Sequence, residues 1–591
     1  MPQEKRENHI GYSLFLQLFS PTVFVWGMLL LMTLMMLWFL RMYSCPVPYV
    51  DAWIIAVDAS AENWSWSWLW EQQNEHRYPL VKGLAWICYH TYGSMQPLSV
   101  LSVLTCTATS AAFLLAARRL RGRSEWTDAV FPILFLNGFH IENILWTHQL
   151  FFVAAGCLAC WCGLYLMAKP ESHRWFPTLL AALALFLLPL HGVMGLVFAP
   201  FLGVGFFWHG WVVFRQNSQN RIAWLNMAVP VLTAILCLLY VLVDFHIPGG
   251  HRENLASDIT LWQRGKVILD CAAIGMGALG NRIPGVLGQG LFLLTLLTLG
   301  TLLFQWRQKQ LSDEEAFSLL LILAAVWSLP LAIGIGRGVM GGAAPRYTIL
   351  AVPLLAFYIL FWIRFGTLGN IDSPHGWVFR FSRLLQVSFF TFFTAFLMYH
   401  VSMAMEYGKE RQNHYHAFLA DVQKALPLEA IAGRGWAYWC WNEKDFVHFL
   451  HRMKENGIAP FDQMQSVGLT EVEEIPLSQK SWNSRVPIAI PLEIPGGKRH
   501  VDAIRLTFQL DCDHWRSDTA IYWDSSSLAF PHVQKNQIKM GTNPYSGEWT
   551  VWIDAEVSRL ELVPNTNAPF SFQLYKVTLC ERDSTDEKSS L

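Results

Sequence analysis

Between Gly11 and Leu40 the chain runs for thirty residues without one charged side chain. A helix needs roughly 20 apolar residues to cross a bilayer, and a stretch this long and this uniformly apolar has no polar face to turn toward water. A cleavable signal peptide would have a shorter apolar core and a small-residue cleavage site, and neither is seen here. Gly11–Leu40 therefore reads as a retained first span.

Further apolar runs follow at Pro97–Ala117, Ala129–Phe139, Leu150–Met167, Phe176–Leu190, Gly192–Phe214, Ile222–Phe245, Val286–Phe304, Ala316–Ile335, Ile349–Trp362 and Leu384–Met403. Together they predict an α-helical polytopic membrane protein with about eleven transmembrane helices. Val267–Leu279 is too short to cross comfortably and reads as re-entrant or interfacial. The composition agrees: 53% of the residues are hydrophobic and only 15% charged, against about 25% charged in soluble domains. A net charge of -1 lacks the basic footprint that nucleic acid requires, so no nucleic-acid partner is expected.

Lysine and arginine mark one side of the membrane. Alternate loops hold Arg118–Arg123, Lys169 with Arg174, Arg215 with Arg221, Arg307 with Lys309, and Arg364, Arg380 and Arg383. With the tail residues Lys5 and Arg6 they fall on one side, assigned as cytoplasmic. The other side receives Asp51–Lys82, His140–His148, His246–Lys266 and Arg337–Arg346. An odd number of spans then puts everything after about residue 404 outside. Four cysteines fall on that oxidising side, Cys45, Cys440, Cys512 and Cys580. A disulfide is allowed there, and the sequence does not choose among the pairings.

Three regions follow from this: a membrane domain at 1–404 with an outer loop at 41–96, a helical connector at 405–485, and a mostly-β domain at 486–591. Tyr407–Ala425 reads as an amphipathic helix leaving the membrane. Alternating stretches at 505–510, 520–523, 549–553, 560–563 and 571–579, separated by turn residues, suggest a small antiparallel sandwich. Such a domain either binds sugar through aromatics such as Trp515 and Trp523 or simply caps the membrane domain.

The ionisable residues cluster on the outer side. Asp51 follows Pro46 and Pro48, which stop helix continuation, so it can face outward at the membrane surface. A carboxylate in a tryptophan-lined apolar niche suits a general base; an interfacial aspartate or a helix N-cap is the plainer alternative. Glu75, His76 and Arg77 are consecutive, after a comb of Trp64, Trp66, Trp68 and Trp70. On a helix they would point three ways, whereas on a loop they can converge, and the planar fork of an arginine fits phosphate. The tryptophans alone would fit an interfacial belt.

A second polar group, His140, Glu142, Asn143, His148 and Gln149, exceeds what a connecting turn needs, although helix capping could also employ it. Small residues precede Arg346 and Tyr347 at the start of a later span. Arg346 would stand at the depth of a lipid phosphate there, or simply snorkel. One carboxylate and several arginines at a common depth suit a lipid-linked phosphosugar, with the arginines neutralising the leaving phosphate and the carboxylate deprotonating the incoming hydroxyl. No His/Cys metal-ligand spacing and no P-loop is present.

This plan resembles the C-type (GT-C) glycosyltransferase superfamily, which includes protein O-mannosyltransferases, the aminoarabinose transferase of lipid A and many bacterial membrane proteins. The resemblance lies in Asp51–Trp53, Asn74–Arg77, Glu142–Gln149 and Pro345–Tyr347 and covers roughly residues 12–404. It implies an inverting transferase in the bacterial cytoplasmic membrane. The sugar would pass from a polyprenyl-phosphate carrier to a glycan or lipid acceptor at the outer face. Asp51 would match the catalytic acidic residue, with Glu75 beside it as a second catalytic candidate. Arg77 and Arg346 would match donor-phosphate positions, and His76, Glu142, His148, Gln149 and Tyr347 would complete the substrate site. Metal-dependent members carry an acidic pair such as Asp-x-Asp in this loop. Here Asp51 and Asp58 are seven apart, which counts against a divalent metal, and no other cofactor is expected.

Two rival readings remain at this point. A transporter or flippase would show inverted repeats and charges near the bilayer midplane, and no repeat is visible, although Asp244 and Asp270 are possible midplane charges. A non-catalytic scaffold with an outer binding domain would leave the polar clusters without a role.

Overall fold

The computed structural model describes residues 20–583 apart from 63–64, 169–174, 248–259, 337–343, 369–375, 466–467, 487, 513–515, 524–531, 540–544 and 565–568. Lys5, Arg6, Trp64, Lys169, Arg174, His251, Arg252 and Trp515 thus lie outside the described residues, as do residues 11–19 of the first expected span. The chain divides into two compact units. The first comprises 1–44, 65–84 and 96–409, and the second 45–64, 85–95 and 410–591.

The first unit is a helix bundle. Nine helices among the described residues are long and apolar enough to cross a membrane, as in a multi-pass membrane protein. They are α1 (Pro21–Tyr43), α2 (Gln96–Arg121), α3 (Leu150–Ala168), α4 (Val193–Gln216), α5 (Arg221–Leu242), α6 (Pro284–Arg307), α7 (Asp313–Gly336), α8 (Thr348–Leu368) and α9 (Gly376–Gln423). The amphipathic stretch expected at Tyr407–Ala425 is largely the far end of α9 rather than a separate helix.

Two of the expected spans are built differently. The run Phe176–Leu190 forms a 13-residue helix, Trp175–Leu187, that tightens into a 3-10 turn at Leu188–His191. The run Ala129–Phe139 is not a long helix at all. It breaks into a helix of six residues, Val130–Phe135, and a 3-10 turn, Gly138–His140, followed by Ile141–Leu145.

The neighbouring packing explains why the break is tolerated. Cys106 of α2 meets Cys157 of α3, and one turn further on Trp161 donates its Nε1 proton to Thr109 at 3.0 Å, so α2 and α3 run parallel. The chain between them must therefore return along the length of the bundle. Irregular backbone at membrane depth survives only where protein buries it and satisfies its polar groups. Every residue from Ala129 to Ile141 is buried. Asn137 Oδ1 accepts from Phe139 N at 2.9 Å, and His140 Nε2 lies 2.8 Å from the Leu134 carbonyl. Gly138 is required where the segment meets α9, because a Cβ would come within 2.6 Å of the His400 carbonyl oxygen.

One end of the bundle collects the arginines. Arg121 and Arg383 both pair with Glu125, Arg364 pairs with Glu315 at 2.6 Å, and His209 meets Glu314 at 2.6 Å. The opposite end carries the starts of α3, α4 and α8. The short apolar run near Val267–Leu279 is Leu261–Ala273 plus a 3-10 turn at Ile274–Met276. It packs beside the start of α8, where Gly275 lies against Ala351.

The second unit contains two antiparallel sheets and several helices. The strands are β1 (Leu469–Glu474), β2 (Ser481–Ser484), β3 (Ile490–Glu493), β4 (Arg499–Cys512), β5 (Arg516–Trp523), β6 (His532–Lys539), β7 (Tyr545–Val557), β8 (Arg559–Val563) and β9 (Phe570–Arg582). One sheet has the order β1-β9-β4-β7 with β2 also on β9, and the other β3-β8-β5-β6. Ile504, Leu506, Phe508 and Leu510 alternate inward along β4, against Val577, Leu574 and Phe572 of β9. Two helices, α10 (Leu428–Trp439) and α11 (Glu443–Glu455), pack along β7. Cys45, Cys440 and Cys580 are each buried and unbridged.

Glu443 opens α11 and accepts a 2.8 Å hydrogen bond from Thr550 N of β7. Burial pushes its carboxyl up to about 7, against an ordinary value of 4.5. The folded unit therefore holds this proton more tightly than the unfolded chain does. The stability this contributes is present in full below about pH 4.5 and is lost as pH rises through about 7, by about 3 kcal/mol. Thermal unfolding of the purified protein, followed by tryptophan fluorescence across that range, should show a declining Tm. Glu443→Gln should flatten the decline.

Candidate functional site

The site is best built from the turn that holds Glu75 and His76. Gln73 and His76 exchange two backbone hydrogen bonds, each 2.9 Å, closing a tight turn. Asn74 at its tip takes φ 51°, a left-handed conformation that asparagine tolerates. Tyr78 donates its hydroxyl to Gln73 Oε1 and stacks on Phe151 of α3 at 4.7 Å. The turn is thereby fixed to the bundle, and the three consecutive ionisable residues do not fan out as they would on a helix.

Each side chain is then placed by a different neighbour. His76 sits 3.5 Å from Glu75 Oε1 and packs its ring on Phe151 and Phe152. Gly192, at φ 82°, lets α4 begin directly beside that ring, since a Cβ there would stand 3.1 Å from His76 Nδ1. Arg77 donates its backbone N–H to the Tyr240 hydroxyl at 2.6 Å, and its guanidinium lies 5.7 Å from the centre of that ring. Arg77 is only 4% exposed. Its Nε has no hydrogen-bond partner among the described residues.

Two further polar groups approach the same place by a shared construction. Helices α3 and α8 run parallel, Gly156 meeting Ile349 and Gly163 meeting Phe357, and each is preceded by a single 3-10 turn, Thr147–Gln149 and Pro345–Tyr347. The first carries His148 and Gln149, both buried, and the second Arg346 and Tyr347. His148 packs on Phe151 and on Trp146, and Arg346 lies 6.0 Å from the Trp146 ring centre. Asn143, in the helical turn Ile141–Leu145 just before the first, donates to the Arg346 carbonyl of the second at 2.8 Å. Tyr347 meets Phe152 at 5.9 Å. Glu142 is half-buried in the helical turn Ile141–Leu145, next to Asn143.

Glu75 and Tyr347 both face a cavity of about 190 Å³ whose other walls, including Val193, Met194, Leu329 and Ile333, are apolar. An apolar groove of about 700 Å³ lies between α4 and α5, lined by Leu196, Pro200, Gly203, Pro230 and Val241 among others. Residues of α4 line both hollows.

Thus Glu75, His76, Arg77, Glu142, His148, Gln149, Arg346 and Tyr347 are all positioned at the end of the bundle opposite its arginine clusters. Asp51 is folded with the second unit. It occupies the N-cap position of the helix Ala52–Ser60 without a side-chain capping bond. Val50 before it takes φ 46°, a costly conformation for a β-branched residue. Val50 N and Trp53 Nε1 both donate to the Trp439 carbonyl, at 2.7 and 2.9 Å, and hold the turn in that state.

Sequence reasoning did not single out Tyr240, Phe151 or Phe152. Tyr240 had a readable signal: a hydroxyl-tipped aromatic near the end of an apolar helix seeks a polar partner. The tryptophan comb is helical over Trp66–Trp70, so its members do not simply alternate. Trp66 and Trp70 are exposed, while Trp68 covers Lys82, whose Nζ donates to the Trp68 carbonyl at 2.8 Å. Trp523, a sugar-binding candidate on one of the two readings of the β region, is buried at 8% exposure. A comparison with protein-family models and a comparison with curated proteins each found no match to this chain.

Proposed function

We propose that the protein transfers a sugar from a polyprenyl-phosphate carrier to a glycan or lipid acceptor at the extracytoplasmic face of a bacterial cytoplasmic membrane. The observation that carries this reading is the buried Arg77 guanidinium in a polar cluster beside an apolar cavity. A buried cation is costly until an anion compensates it. A phosphate does so with bidentate geometry. Arg346, on a turn that also abuts the cavity, supplies a second positive group, and the parallel helices α3, α4 and α8 begin at this end, where helix N-termini favour anions. The apolar groove between α4 and α5 suits an isoprenoid chain. The arginine-rich end is cytoplasmic on this reading, which puts the cluster outside.

In the reaction the acceptor oxygen attacks the anomeric carbon, the bond from that carbon to the phosphate oxygen breaks, and polyprenyl phosphate leaves. Arg77 and Arg346 stabilise the charge that gathers on the phosphate. A carboxylate takes the acceptor proton. Glu75 is the carboxylate within the cluster itself, and Asp51 is the base that the resemblance implies. His76, Glu142, His148, Gln149 and Tyr347 bind and orient the donor.

The test compares Asp51→Asn and Glu75→Gln in cells lacking the natural gene, scoring glycan and lipid products by mass spectrometry. We expect Asp51→Asn to remove the product while membrane insertion and yield stay normal. Normal product from both variants would defeat the acid–base scheme, and flux of a lipid-linked sugar across sealed vesicles without a covalent product would replace it with transport.

A further inference from the structure

The outward face of the five-stranded sheet carries side chains of an unusual kind. Antiparallel register places Asn483 of β2, Ser571 of β9 and Asp511 of β4 directly side by side. The next outward row is Ser481, Gln573 and Gln509. Beyond it β9 bulges, and Tyr575 turns out with 45% of its surface exposed. The Tyr575 hydroxyl lies 2.6 Å from Gln509 Oε1 and 3.0 Å from Gln573 Oε1. The hydroxyl donates its one proton to Gln509, the nearer oxygen, and that bond orients the ring. At the other end of the face, Arg485, Asn483, Asp511 and Ser571 line a cleft of about 410 Å³, floored by Phe570.

We infer that this face, from the Asp511 cleft to Tyr575, is a binding site for a neutral glycan chain. The chemistry is that of a hydroxyl-rich, uncharged ligand. Amides, a hydroxyl, a carboxylate and a guanidinium offer donors and acceptors side by side, as vicinal sugar hydroxyls require. The Asp511 carboxylate opposes a phosphate or another anion in the same cleft. An exposed aromatic ring supplies an apolar platform for the C–H face of a sugar, and its hydroxyl proton is already taken by Gln509. From Ser571 to Tyr575 the strand advances about 13 Å, the length of roughly three sugar rings. The site needs none of the residues assigned to glycosyl transfer and does not rest on that reading.

The test uses the full-length protein in detergent and saturation-transfer NMR with cellotriose, maltotriose, mannotriose and triacetylchitotriose. At least one of them should bind. Tyr575→Ala and Asp511→Ala should each weaken that binding by about 10-fold or more, with melting curves unchanged because both side chains are exposed. Absence of binding by all the trisaccharides would overturn the inference. So would binding that survives both substitutions, or binding that inorganic phosphate displaces.

Discussion

Arg77→Ala should lower sugar transfer on the order of 100- to 1000-fold, the loss expected when a buried donor to a developing anionic charge is removed. Arg77 is 4% exposed and its guanidinium lies over Tyr240, so its removal also leaves a cavity. Arg77→Lys separates the two effects. It keeps the charge and most of the packing, but gives up the planar fork that holds a phosphate at two points. If the arginine binds phosphate, the lysine variant should keep a normal yield and melting profile and still lose most of the activity. If Arg77 serves only to pin the Tyr240 ring, the lysine variant should be nearly as active as the parent. Single-turnover transfer from a polyprenyl-phosphate sugar into a labelled acceptor measures the difference directly.

The largest effect on stability is expected in the second unit, at Gly433→Ala. A Cβ on Gly433 would stand 1.9 Å from the Thr550 carbonyl oxygen, a backbone atom that cannot swing aside. Helix α10 must then lift from β7. Doing so breaks the 3.0 Å bond from Trp549 Nε1 to the Gly433 carbonyl and disturbs the neighbouring Glu443–Thr550 contact. Overpacking against backbone, together with a buried indole N–H left unpaired, should cost about 3 kcal/mol or more. Chemical denaturation with near-UV circular dichroism as the signal measures it. A change within about 0.5 kcal/mol of the parent would mean that α10 is not seated on β7 as described.

The long apolar helices were legible in the sequence because a membrane span is a statement about composition over a fixed length. The limits of that legibility are equally physical. Ala129–Phe139 looked like a span because it is largely apolar, but eleven residues with Pro132 and Asn137 among them do not build a helix of bilayer length. The polar clusters were legible as clusters. What a single sequence could not convey is how each is oriented: Tyr240 reaches Arg77 across 163 positions, and Asn143 reaches the Arg346 carbonyl across 203. The division of the outer loop was not visible either. Asp51 and Glu75 lie in one loop of the sequence, yet they fold with different units. In the β region the first strand begins at Leu469, ahead of the expected boundary near 486, because its polar sequence LeuThrGluValGluGlu lacks a clean alternation. Nothing in the sequence around Glu443 marks it as buried; the sheet packed against the start of its helix makes it so.

The broken segment between α2 and α3 carries a consequence for how the protein is made. A translocon admits a nascent segment to the bilayer when it is continuously apolar and its backbone is satisfied from within. This segment is broken, and it closes instead on parts of the chain made much later: Asn143 donates to the Arg346 carbonyl 203 positions on, and Gly138 packs against His400 of α9. The seat of this segment is therefore completed only by the last helices of the bundle to be synthesised.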